Sequence, residues 1–163
     1  MFKRLFGPRA TTPEPSPEPG PGSSSSDQRT LAQGQVDGLP LLFRFRAFPP
    51  EGVEPASFAT LVAIGWSYEP GNDSGMPGPP DAERMDHLEA LLDAAIETPG
   101  IAYLTAAVTG NGRREWQWYT RDSASFMAAL NRALSSYPAF PIDISHQQDP
   151  EWNAYLSILA AAT

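Results

Sequence analysis

The sequence predicts an α+β domain: an antiparallel βαββαβ sheet, preceded by one extra strand and followed by a short helix. Three observations predict it. Residues 58–68 and 101–120 carry dense apolar and aromatic runs of strand type, the second broken by Gly110-Asn111-Gly112. Asp81–Glu97 and Ser123–Ser135 carry apolar residues at helical spacing between and after those runs. Phe140–Ser145 then returns to strand character. Two β-α-β crossovers about one hairpin is the split arrangement of the ferredoxin-like fold. Right-handed crossovers place both helices on one face of the sheet.

The N-terminal part reads differently. Pro8–Ser26 holds six prolines and five serines in 19 residues. Such a segment lacks the apolar area to offset its ordering entropy. Residues 1–37 are therefore expected to form a disordered Pro/Ser-rich tether, and residues 38–163 a single domain. At its head Phe2, Leu5 and Phe6 share one helical face, with Lys3 and Arg4 on the other. That pattern suits contact with an anionic membrane surface, though six residues bury little. No apolar stretch of secretion-signal length follows the basic pair, so a cytoplasmic location is expected.

Within the body, Leu39–Phe48 alternates Leu41, Phe43, Phe45 and Ala47 against Arg44 and Arg46. This is a strand, and pairing with 58–68 conflicts with that strand's two neighbours in the standard order. Phe58–Tyr68 is apolar on both faces, as a central strand requires. Asp81 follows two prolines as the expected helix cap; Met85, Leu88, Leu92 and Ile96 form the inward stripe. Asp86, Glu89, Asp93 and Glu97 form an acidic row assigned to the outer face. Gly and Asn tolerate the positive φ of a tight turn, so 101–109 and 113–120 form a hairpin. Asp122 or Ser123 caps the next helix, with Phe126, Met127, Leu130 and Leu134 inward. Asp149-Pro150-Glu151 reads as a cap followed by a first-turn proline. Trp152, Tyr155, Leu156 and Leu159 give the terminal helix its apolar face.

Composition excludes several chemistries. Cysteine is absent, so disulfides, thiol catalysis and thiolate metal sites are out. The net charge is −8, and all of it lies beyond residue 37, where 7 arginines face 15 acids. A global electrostatic grip on nucleic acid is not expected from that balance. No phosphate loop, dinucleotide fingerprint, nucleophile elbow or zinc-helix motif occurs. The imidazoles are His87 and His146. His87 reads as part of a solvated helix face. His146 lies between Asp143 and Asp149, where a carboxylate–histidine pair could act as a base or bind a metal, and where a loop role is the simpler reading.

One constellation is informative. Trp116, Trp118, Tyr119, Trp152 and Tyr155 lie near Arg113, Arg114 and Arg121. Either these aromatics line the sheet under its helices, or they form a binding surface. Trp, Tyr and Arg are the residue types that dominate binding hot spots.

Two patches resemble a known family. Thr109–Tyr119 contains Arg114, Glu115 and Tyr119 in an Arg-Glu-aromatic-Tyr string, and Asp149, Trp152 and Tyr155 form Asp-x-x-Trp-x-x-Tyr. They resemble the bacterial family catalogued as domain of unknown function 695, over roughly residues 38–160. The family has no assigned activity. Its apparent link to an inhibitor of ribonuclease E, itself ferredoxin-like, implies regulatory binding. The expected function is thus a non-catalytic domain that binds a protein partner, without cofactor or metal. Its candidate binding residues are Arg114, Trp116, Trp118, Tyr119, Asp149, Trp152 and Tyr155. The alternative is a small-ligand or enzymatic domain using His146, Asp149 and Arg114.

Overall fold

The computed structural model describes residues 29–162. The segment upstream of Arg29, including Phe2, Leu5 and Phe6, lies outside the described residues. The described chain runs β1 (Arg29–Val36), β2 (Leu39–Arg46), a single 3-10 turn (Pro55–Ser57), β3 (Thr60–Ser67) and α1 (Pro79–Leu92). It continues through a π-helical turn (Asp93–Glu97), β4 (Ala102–Gly110), β5 (Arg113–Thr120), α2 (Ser123–Leu134), β6 (Ile142–Gln148) and α3 (Asn153–Ala161). The strands form one six-stranded sheet in the order β1-β2-β4-β5-β3-β6. Every neighbouring pair is antiparallel.

The order resolves the conflict over strand 39–48. β2 pairs with β4, not β3, with Phe43 opposite Val108. β3 keeps β5 and β6 as its neighbours. The expected tether ends earlier than residue 37, because Arg29–Val36 is a strand paired along its whole length with β2. Its inward side is built from small residues: Ala32 and Gly34 are buried. A Cβ at Gly34 would sit 2.9 Å from the Phe43 ring. The large partners Phe43 and Phe45 occupy that space, so β1 shows little hydrophobic periodicity of its own. The turn joining β1 to β2 is Asp37-Gly38, at φ of 50° and 81°. That pair is a strong hairpin signal.

α1 connects β3 to β4, α2 connects β5 to β6, and both helices lie on one face. Their core includes Val62, Ile64 and Trp66 of β3, Trp116 and Trp118 of β5, Met85, Leu88 and Leu92 of α1, and Phe126 and Leu130 of α2. α1 begins two residues before Asp81. Pro79 and Pro80 fill its first positions, where a missing N–H costs nothing. Asp122 caps α2 as expected, accepting from the Ser125 N–H at 2.7 Å.

The opposite face carries α3. Ile158 and Ala162 pack on Ala32, Leu41, Phe43, Phe45, Ala106 and Val108. Trp152 and Tyr155 pack with Phe58, Leu61 and Tyr119. α3 therefore covers the β1-β2-β4 side and reaches only the near end of β5 and β3. Among the described residues, nothing covers the far part of that face, toward β6.

The acidic row of α1 and the π-helical turn that follows it does not face solvent as a block. Glu89 bonds Arg44 and accepts from Trp116 Nε1–H at 2.8 Å. Glu97 pairs with Arg46 and, at 3.6 Å, with Arg29; Asp86 pairs with Arg114 at 3.1 Å. Arg44, Arg46 and Arg114 stand on the helix-covered face of β2 and β5, so the row is held by the sheet's own arginines. Asp93 is exposed.

At Gly110, β4 lies close against the start of β2. The glycine's φ is 152°, and an added Cβ would lie 2.5 Å from the Pro40 carbonyl oxygen. The Gly110→Ala variant is expected to lose about 2–3 kcal/mol, because backbone cannot yield as a side chain can. Urea denaturation measures it; a midpoint equal to that of the parent protein would refute the contact.

Candidate binding cleft

Successive side chains of a strand alternate between faces, and this splits the expected binding cluster. Arg114, Trp116 and Trp118 lie on the helix-covered face. Arg114 donates to Thr109 Oγ1 and Asp86, and its guanidinium stands 5.9 Å from the Trp116 ring centre. Trp118 is fully buried against Phe126. Tyr119, Asp149, Trp152 and Tyr155 lie on the other face. The trio His146, Asp149 and Arg114 is not brought together, since Arg114 and Asp149 stand on opposite sides of the sheet. His146 is exposed.

The four residues on the α3 side form a buried clasp. Trp152 is 1% exposed, and its indole N–H is shared by the carbonyls of Pro55 and Phe58 at 3.1 and 3.0 Å. Its ring stacks on Tyr119 at 4.3 Å and meets Tyr155 edge-on at 5.9 Å. Asp149 accepts the Tyr119 hydroxyl at 2.7 Å and the N–H groups of Asn153 and Ala154 at 2.8 and 3.0 Å. The helix starts at Asn153 rather than Pro150. Trp152 takes a left-handed φ of 57°, which turns the chain so that Asp149 caps α3 from four residues away. Tyr155 donates to the Arg46 carbonyl at 2.8 Å.

This clasp makes the fold sensitive to alkali. Burial, then the Asp149 carboxylate, push the Tyr119 phenol far above its ordinary 10. Burial pushes Tyr155 up to about 12. Both are neutral in the folded protein where the unfolded chain ionises. Their contribution is full below pH 10 and declines as pH rises through 12. The melting temperature is expected to fall steeply above pH 10, and Tyr155→Phe should flatten that fall. An unchanged alkaline slope in this variant would contradict the assignment.

Beside the clasp, the uncovered sheet face and α3 enclose a partly open cleft of about 670 Å³. Leu61 and Ala63 of β3 and Glu115 of β5 lie along it, β6 forms one wall, and Asn153, Ala154 and Ser157 of α3 form the other. Glu115 is buried to 7% exposure, and desolvation raises its carboxyl above the usual range. Its partner is Arg113 Nε at 3.6 Å. Arg113 has two shorter bonds elsewhere, 2.8 and 2.7 Å to the two oxygens of Asp143. To reach Asp143 on β6 it crosses β3 above Gly65, where a Cβ would collide with the guanidinium. Next to Glu115 along the same face, Gln117 is fully buried, and both polar atoms of its amide have no hydrogen-bond partner among the described residues. Gln117 sits opposite Ala63. Sequence reasoning named Glu115 only as part of the Arg-Glu-aromatic-Tyr string and passed over Gln117, because a single acid and amide in a strand carry no spacing signal; only the face assignment of β5 shows that both are buried on the α3 side.

The Gly65→Ala variant should displace Arg113 from Asp143 and cost less than about 1 kcal/mol, since the pair is partly solvated. Loss of the Arg113 side-chain Nε signal's slow exchange in NMR reports the displacement; retention of that protection would show that the crossing over Gly65 is not obligatory.

A family model described as a family of unknown function (DUF695) matches residues 30–160. The chain belongs to that family. The match begins inside β1, in agreement with a domain that includes the first hairpin. No curated protein matches the chain. Among the described residues, no helix is long and apolar enough to cross a membrane.

Proposed function

We propose that this domain is a non-catalytic binding module that takes an extended peptide segment of a protein partner along β6, in a regulatory role. One observation carries the reading: among the described residues β6 ends the sheet directly beside the cleft, and its side chains from Ser145 to Gln148 are exposed. A sheet edge presents unpaired main-chain donors and acceptors that an added strand can satisfy. The protective devices common on edges, proline and lysine, do not occur between Ile142 and Gln148. The order β6-β3-β5-β4 with two split crossovers supports placing the domain among ferredoxin-like folds, with the β1–β2 hairpin added at the β4 edge.

Panning a random heptapeptide display library against the full chain tests the proposal. Enriched peptides, once synthesised, should slow amide exchange at residues 142–148. Enrichment of no peptide, or protection confined to α1 and α2, would refute it.

A further inference from the structure

Resting on the β6-edge reading, we propose that the cleft selects a basic side chain, lysine or arginine, of the bound segment, with the Glu115 carboxylate as its counter-charge. Glu115 is the acid of the cleft whose oxygens are least committed. Asp149 also borders the cleft, but its oxygens already accept three hydrogen bonds. Asp143 holds Arg113 through both of its oxygens. That bidentate bond draws the Arg113 guanidinium toward β6, leaving Glu115 with a contact of 3.6 Å. A carboxylate removed from water without a close donor favours an arriving cation that brings its own N–H groups.

The surroundings suit the stem of such a side chain as well as its head. Leu61, Ala63 and Ala154 supply apolar wall, over which three or four methylenes can lie. Ser145, Asn153 and Ser157 supply acceptors around the opening. Two residues along β5 on the same face, Gln117 is fully buried with an unpartnered amide but does not line the cleft. The body's charge of −8 favours approach of a cation from a distance.

Glu115 must be ionised to act. Among the described residues, the charged groups around it are Arg113 of β5 and Asp143 of β6, with His146 of β6 and Asp149 before α3 at the cleft rim; α3 contributes Asn153 and Ser157, which do not titrate. Burial holds the empty carboxyl above its usual range, and a bound cation draws it down. Affinity for the cation therefore rises with pH through the Glu115 titration and falls in acid.

The test uses two probes on the full isotope-labelled chain, followed by NMR. The first is n-butylguanidinium chloride against n-butanol at equal ionic strength. The second is a set of display-selected peptides resynthesised with Arg, Lys, Gln or Glu at each position in turn. Expected are n-butylguanidinium-specific shifts at residues 113–117 and 143–147, and a lowered Glu115 carboxyl pKa at saturation. One peptide position should prefer Arg or Lys at least fivefold over Gln. Glu115→Gln, close in shape, should abolish both preferences while the remaining spectrum stays folded. If that variant unfolds, the Glu115 pKa shift in the parent protein decides alone. Peptides that protect β6 equally with Gln or Arg, together with an unmoved Glu115 pKa, would overturn the inference and leave the edge reading intact. Failure of every peptide with butylguanidinium still titrating Glu115 would support the cation site and remove the edge reading. No response to either probe overturns both.

Discussion

Trp152→Ala is expected to destabilise the domain by about 3–5 kcal/mol, the range for emptying a buried aromatic site. The tryptophan is 1% exposed and joins three separate parts of the chain. Its ring lies on Tyr119 of the sheet, its N–H holds the 55–58 turn through the carbonyls of Pro55 and Phe58, and its left-handed backbone starts α3. Truncation leaves a cavity and two carbonyls without their donor. Asp149→Ala should follow at about 2–3 kcal/mol, more than a simple cap, because it also strands the buried Tyr119 hydroxyl. Thermal and urea denaturation of both variants measure this. A Trp152→Ala protein that melts with the parent would show that α3 does not depend on the clasp.

Arg46→Ala is expected to cost about 3 kcal/mol. Arg46 is 3% exposed, pairs with Glu97, and donates through Nε to the Leu104 carbonyl at 3.0 Å. Removing one partner of a buried pair leaves the other charge without compensation, typically at 3–5 kcal/mol. The figure lies at the low end of that range because Arg29 stands 3.6 Å from Glu97 and retains part of the attraction. A double variant, Arg46→Met with Glu97→Leu, should recover at least half of the loss, since neither charge is then buried. A double variant as unstable as the sum of its single changes would show that packing, not charge, governs this position.

These two sites mark the boundary between what is legible along the chain and what is not. Trp152 declares itself by spacing: it falls at the head of an apolar stripe with Tyr155 and Leu159, three residues after an acid that caps a helix. The Gly110–Gly112 turn, the stripes of α1 and α2 and the two-sided apolar run of β3 are likewise local patterns, set by periods of 2 and 3.6 residues. They suffice for the element order from β3 to β6 and for the class of the fold. They do not specify β1, whose inward residues are small because Phe43 and Phe45 of another strand fill their space. Nor do they say that the acids of α1 and its following turn meet the arginines of β2 and β5, a matter of which strands the helix lies over.

By itself the sequence determined an acidic, cysteine-free α+β domain with two crossovers, an apolar aromatic face on its last helix and a proline-rich segment outside the resemblance, but not whether those aromatics are core or binding surface. The tertiary structure alone decided that β2 extends the sheet at β4, that Arg114 and Asp149 stand on opposite faces, and that a cleft opens over Glu115. The physical reason is one of range. Periodicity records which side of its own element a residue faces, whereas burial of Glu115 depends on how far α3 reaches across the sheet, and the packing of Ile158 on Phe43 and Phe45 sets that reach.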